Sequence, residues 1–160
     1  MKVSYDKISK DYSYPISRTD LDKLHGVVTP SLLAAVSVIR FGCNTKTTQE
    51  GRTVQRGNQY EIRINFCLRI NRSRLLSSEK TYERTIQSFG GQIDKGANLI
   101  TWPTGGAKRY AYYLLLHEVA HVAYCERFKE GRLEGHGSPT EEAWCDKYAS
   151  DNLRQLRDLI

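Results

Sequence analysis

No apolar run in this chain approaches the roughly 20 residues that a bilayer-spanning helix needs, so membrane-spanning helices and a membrane partner are not expected. The opening residues, MKVSYDKISKDYSYP, are polar and charged and do not read as a secretory leader, so the expected location is cytoplasmic. The four cysteines, Cys43, Cys67, Cys125 and Cys145, form no CxxC pair, which argues against a cysteine-built zinc knuckle. In a reducing compartment they are expected to be free thiols. There are no internal repeats and no low-complexity tract. The segment TGGAKRY carries a fragment of a phosphate loop but lacks the full GxxxxGK[ST] pattern, so it reads as the lead-in to a helix. Histidine is scarce, at four in the chain.

What is present suits one folded domain. The 160 residues are 39% hydrophobic, enough for a real core. Residues 1–16 look irregular and are expected to form a flexible N-terminal arm, with 17–160 as the folded domain and a monomer as the expected state. The net charge of +6 is uneven. Residues 51–110 hold eleven Lys/Arg against four Asp/Glu, and residues 111–160 hold six against nine. The basic middle is a possible nucleic-acid surface, although no recognised nucleic-acid motif accompanies it and a solvated face is the plainer reading.

The pattern along the chain predicts an α+β fold. SRTDLDKLHG opens on capping residues and closes on Gly26, as a short helix does. TPSLLAAVSVIRF reads as a helix running into a strand, and NTKTTQEGRTVQRGNQ as a loop or an exposed hairpin. In YEIRINFCLRI, Tyr60, Ile62, Ile64, Phe66 and Leu68 share one face of a half-buried strand. EKTYERTIQSF predicts a short helix ending at Gly90-Gly91, and QIDKGANLITWP a hairpin around Lys95-Gly96. Longer helices are expected at about 107–128 and 139–158.

The first of these long helices carries YYLLLHEVAHVAYCERF, which sets two of the four histidines and a carboxylate inside an apolar run. His117 and His121 are four residues apart, one turn along a single helix face, where two imidazoles can grip one metal ion. Glu118 lies about 100° around the helix, placed to reach a water on that ion without ligating it. This is the HExxH arrangement of two zinc ligands and a general base. A buried helix with two satisfied histidines is the bland alternative, but burying them beside a carboxylate is costly unless they are paired or metal-bound. Cys125 extends the histidine face but lies about 12 Å along the axis from His117, too far to share an ion. It and Cys145 read as small buried residues.

A catalytic zinc takes a third protein ligand and leaves one position open. Two candidates follow: His136 in a glycine-flanked loop, and Glu142 on the last helix. Ser138 to Glu141 form an S-x-x-E capping box with Pro139 at the first helical position, which gives Glu141 the task of bonding back to the cap. Glu142, Asp146, Ala149, Leu153, Leu156 and Ile160 keep the spacing of an inward stripe. Carboxylates at the head of that stripe suggest Glu142 as a ligand and Asp146 as acceptor of a ligand histidine's free N–H.

HEVAH followed by EEAWCD resembles the gluzincin metallopeptidases, whose pattern is HExxH and then ExxxD on a later helix. His117, Glu118, His121, Glu142 and Asp146 match it one by one, over roughly residues 110–150. EAWCDKYA also resembles the small regulatory gluzincins that cleave repressors. The resemblance implies a zincin-like domain over 17–160, with a small mixed or antiparallel sheet, an HExxH helix and a C-terminal helix that brings the third ligand. It implies Zn2+ as cofactor and a protein or peptide substrate, with Glu118 as base and His136 steadying the oxyanion. LLHEVAH with EGHG is similar, alternatively, to the SprT-like proteases that act on DNA–protein crosslinks. That resemblance implies His136 as third ligand. A third expectation, from another class, is a non-catalytic, zinc-stabilised domain that binds nucleic acid or protein. An extended substrate could pair with a sheet edge supplied by NLITW or YEIRINF.

Overall fold

The computed structural model describes residues 1–44, 46–128 and 137–156. Its central strand, β4 (Gln59–Asn65), follows the alternation in its sequence: Tyr60, Ile62 and Ile64 are buried while Glu61 and Arg63 face water. β4 lies parallel to β2 (Val36–Gly42) on one side and antiparallel to β3 (Gly51–Arg56) on the other. β1 (Lys2–Tyr5) adds parallel to β2, so the sheet runs β1-β2-β4-β3. The β3–β4 hairpin turns through Gly57 at φ +60°, a conformation that glycine adopts without strain. A second, antiparallel sheet has the order β5-β7-β6, built from β5 (Arg72–Arg74), β6 (Gln92–Asp94) and β7 (Leu99–Thr101).

Short helices fill the connections. α1 (Arg18–Leu21) starts at a full capping box between Ser17 and Asp20 and tightens into a 3-10 turn over Asp22–Gly26. α2 (Pro30–Ala35) begins on a proline and passes directly into β2. α3 (Lys80–Ser88) precedes β6. Two long helices follow, α4 (Gly106–Phe128) and α5 (Pro139–Leu156).

α4 is apolar nearly all the way round because it is enclosed on two sides. One side packs on β3 and β4 and the other on α5. Leu115, Leu116, Val119, Ala120 and Val122 are fully buried. At its N-terminal end Tyr110 joins Phe66, Phe89 and Trp102 in an aromatic cluster beneath the second sheet. The architecture is therefore α+β, with one small mixed sheet and one small antiparallel sheet.

Several expectations change here. Residues 1–16, expected to be irregular, include β1, and Ile16 is fully buried in the core. The ladder hydrogen bonds of β2 offer an open edge, and KVSY takes it. The strand expected over 60–70 ends at Asn65, although Phe66 and Leu68 keep the inward alternation and Leu68 forms a bridge to Ser13. Of the segment read as a loop or an exposed hairpin, Gly51–Arg56 forms β3 of a hairpin with β4, but Thr53 and Val54 in it are buried. β4 and β7 both lie inside their sheets, so neither YEIRINF nor NLITW is an edge; β3 and β1 are the outer strands of the larger sheet. Cys43 and Cys67 are joined by a disulfide, whereas Cys125 and Cys145 are free and buried. The free-thiol expectation rested on compartment. It missed that the parallel pairing of β2 and β4 brings the ends of those strands side by side. Among the described residues no helix is long and apolar enough to cross a membrane.

Candidate metal centre

His117 and His121 point from α4 toward the first turns of α5, with ring centroids 4.9 Å apart. Their Nε2 atoms converge on the two oxygens of one carboxylate: His117 Nε2 lies 3.1 Å from Glu142 Oε2, and His121 Nε2 lies 3.6 Å from Glu142 Oε1. The opposite nitrogens meet other carboxylates. His117 Nδ1 lies 3.0 Å from Asp146 Oδ1, and His121 Nδ1 lies 2.6 Å from Glu141 Oε1. Cys145 Sγ approaches the same His121 nitrogen at 3.4 Å. Ligand atoms of His117, His121 and Glu142 all fall within 4.8 Å of one another, close enough to share one ion.

The electrostatics follow from this crowding. Burial alone would lower the pKa of His117, but Asp146, Glu142 and the nearby Glu118 charge reverse that and push it up to about 10. In return His117 draws the Glu142 carboxyl down against burial. Burial works against Asp146 as well, and His117 with the Tyr113 hydroxyl, which donates to Asp146 Oδ1 at 2.7 Å, draws it down. The centre is thus built to hold positive charge between its carboxylates.

α5 turns differently from the expectation. The buried positions of the stripe are Glu141, Cys145, Ala149 and Leu156: Ala149 and Leu156 are as expected, while in the first two turns Glu141 and Cys145 take the buried places expected for Glu142 and Asp146. Glu142 and Asp146 sit at its solvent border, so the cluster opens to water on their side. α5 packs on α4, and Cys145 is fully buried. Only half of the predicted capping box forms: Ser138 Oγ accepts from the Glu141 backbone N–H at 3.2 Å. The Glu141 side chain turns instead to His121, a stronger partner in a buried setting. Gly137 closes over the pair, its N–H donating to Glu142 Oε1 at 3.0 Å. A Cβ on Gly137 would come within 2.6 Å of that oxygen.

Glu118 faces the sheet and is buried. Its Oε2 accepts from the Thr53 hydroxyl at 2.7 Å, and that hydroxyl also lies 2.9 Å from the Glu118 carbonyl oxygen. Its other oxygen presses on the backbone of β3: a Cβ on Gly51 would stand 2.2 Å from Oε1. No periodicity in the sequence pointed to Gly51, Thr53 or the Glu141–His121 contact, because each depends on a crossing of two elements. His136 lies outside the described residues. A second set of potential ligands, His121, Glu141 and Cys145, is wholly buried. It shares His121 with the first but uses its other nitrogen and has no side open to water.

No known family model, curated protein or solved structure matches the chain.

Proposed function

We propose that the chain is a zinc-dependent metallopeptidase of the gluzincin type. One observation carries this reading: both histidine Nε2 atoms aim at the two oxygens of Glu142, while the Nδ1 atoms face other carboxylates, Asp146 at 3.0 Å from His117 and Glu141 at 2.6 Å from His121. That is the donor set and the outer-shell support that a zinc ion with an open position uses. His117, His121 and Glu142 would hold the ion, and Asp146 and Glu141 fix the ring orientations. When bound, zinc supplies Lewis-acid polarisation of a carbonyl and an acidified water.

The chain's own residues supply the rest. Glu118 takes a proton from the attacking water and returns it to the leaving amine. Thr53 and Gly51 set where its carboxylate stands. β3, the outer strand that crosses Glu118, is the natural rail for an extended peptide, whose backbone would pair with the strand's free edge.

Elemental analysis of wild type, Glu142→Ala and His136→Ala, coupled to a peptide-cleavage screen that includes Glu118→Gln, tests this. The expected result is about one zinc per chain, lost in Glu142→Ala and kept in His136→Ala, with cleavage abolished but zinc retained in Glu118→Gln. Zinc lost with His136 instead would shift the reading to the SprT-like ligand set. Zinc bound without any Glu118-dependent cleavage would make the metal structural. No zinc in any variant after the metal is added back would sink the proposal.

A further inference from the structure

A second concave feature lies at the ends of β2 and β4 and the start of β3: a cavity of about 660 Å³. Its size is that of a small-molecule site, for which about 300–1,000 Å³ is usual. None of His117, His121 or Glu142 lines it. Its lining combines the apolar residues Phe66, Leu99 and Trp102 with three arginines, Arg69, Arg72 and Arg74. We propose that this cavity binds an anionic ligand, an oxyanion head of the carboxylate or phosphate kind carried on an apolar, preferably aromatic, body.

The arginines are arranged for such a head. Arg69 and Arg72 are bridge partners, joined by backbone hydrogen bonds of 2.8 and 3.0 Å, and so stand side by side. The turn between them runs through Ile70 and Asn71, both left-handed, at φ 50° and 57°. For a β-branched residue that is an uncommon and costly conformation. Ile70 is also 83% exposed, so core packing does not explain the turn. What the turn achieves is the pairing of the two flanking arginines at the cavity. Arg74 is steadied from behind by a 2.9 Å hydrogen bond to the Thr47 carbonyl oxygen. Among the described residues no carboxylate forms an ion pair with Arg69, Arg72 or Arg74. Arginines that have no carboxylate partner and gather at a concavity suit carboxylate and phosphate recognition.

The acidic residue on the lining, Glu50, does not cancel them. It is buried and accepts from the hydroxyls of Tyr82, at 3.3 Å, and Tyr110. Burial pushes it up to about 7, against the pull of both tyrosines, so near neutral pH it is only partly charged. The apolar wall beside it, with Trp102 held by its Nε1–H to Ser73 Oγ at 2.8 Å, suits a ring rather than a bare ion.

The head could belong to a free small molecule or to an acidic side chain of a polypeptide, and titration calorimetry on the full chain separates the two. The probes are phenyl phosphate, benzyl alcohol as its uncharged counterpart, and an alanine-flanked phosphotyrosine pentapeptide. Phenyl phosphate is expected to bind and benzyl alcohol to bind at least about tenfold more weakly. Arg69→Ala/Arg72→Ala should lose about tenfold or more for the phosphate, with an unchanged circular dichroism spectrum, since both side chains are exposed. Glu142→Ala should bind as wild type does, which separates this cavity from anion capture at the metal centre. Tighter binding of the pentapeptide than of phenyl phosphate would assign the head to a polypeptide, and the reverse to a free ligand; either supports the site. No binding at millimolar probe, equal binding of the alcohol, or full affinity in the double arginine variant would overturn it.

Discussion

Glu141 Oε1 stands 2.6 Å from His121 Nδ1, and both side chains are buried. The carboxylate favours the tautomer with the proton on Nδ1, which leaves the Nε2 lone pair free for a metal ion on the Glu142 side. Glu141→Gln keeps the shape and removes the charge. It is expected to weaken zinc binding by about 10- to 100-fold, the usual cost of losing such an outer partner, with little change in unfolding midpoint. Competition against a chromophoric chelator reads the affinity. An unchanged affinity would mean that Cys145, at 3.4 Å from the same nitrogen, suffices to orient the ring.

Gly51 of β3 packs against the Glu118 side chain of α4. A methyl group at Gly51 would stand 2.2 Å from Glu118 Oε1, so one of them must move. Gly51→Ala is expected to retain zinc, because none of the ligands touches Gly51, and to lose cleavage as Glu118 is displaced. Overpacking of this kind costs about 1–3 kcal/mol of stability. Thr53→Val, which removes the hydroxyl that donates to Glu118, should lower turnover with a smaller effect on folding. Zinc content and peptide cleavage measured on the same preparations check both. Normal turnover in Gly51→Ala would remove Glu118 from the role of base.

Most of the elements were legible from local signals. The alternation of β4, the proline at the start of α2 and the apolar run of α4 each reflect a period or a cap, and each appears where expected. The HExxH spacing placed two rings on one face because a helix turn is a local property. What escaped the sequence was relational. Whether Glu141 or Glu142 heads the buried stripe of α5 depends on how the first turns pack against α4, a contact between two elements that no local period encodes. The entry of KVSY into the sheet, the choice of β3 as outer strand and the Cys43–Cys67 bond depend on which strands become neighbours. The arginine cavity needed the Ile70–Asn71 turn, whereas the pattern alone carried the strand on to Ile70.

The Cys43–Cys67 bond closes a segment with a sequence separation of 24 and ties the end of β2 to the chain just past β4. By the chain-entropy argument a loop of this length is worth about 3 kcal/mol. Cys43→Ser, or reduction of the wild type, is therefore expected to lower the unfolding midpoint by several degrees. Because both cysteines line the arginine cavity, reduction should also weaken any ligand held there. Thermal melts with and without a phosphine reductant give the first quantity. Identical melts would show that the pair does not constrain the folded chain in solution.

Glu50 makes a prediction about pH. Burial holds its carboxyl at about 7 in the folded protein, against an ordinary value of 4.5. Between those values the folded state binds more protons at this position than the unfolded state does. Its contribution to stability is therefore fully present below about pH 4.5, declines as pH rises toward 7, and is constant above that. The size is a few kcal/mol by the usual conversion of about 1.4 kcal/mol per unit. Glu50→Gln has no charge to suppress; its amide oxygen accepts from one of the two tyrosine hydroxyls and its NH2 donates to the other. Urea unfolding of both proteins from pH 5 to 8 isolates the effect, because contributions from other groups cancel in the difference. The wild type is expected to lose stability relative to Glu50→Gln as pH rises. A difference that stays flat over that range would mean that Glu50 is ionised throughout, with the two tyrosine hydroxyls offsetting its burial.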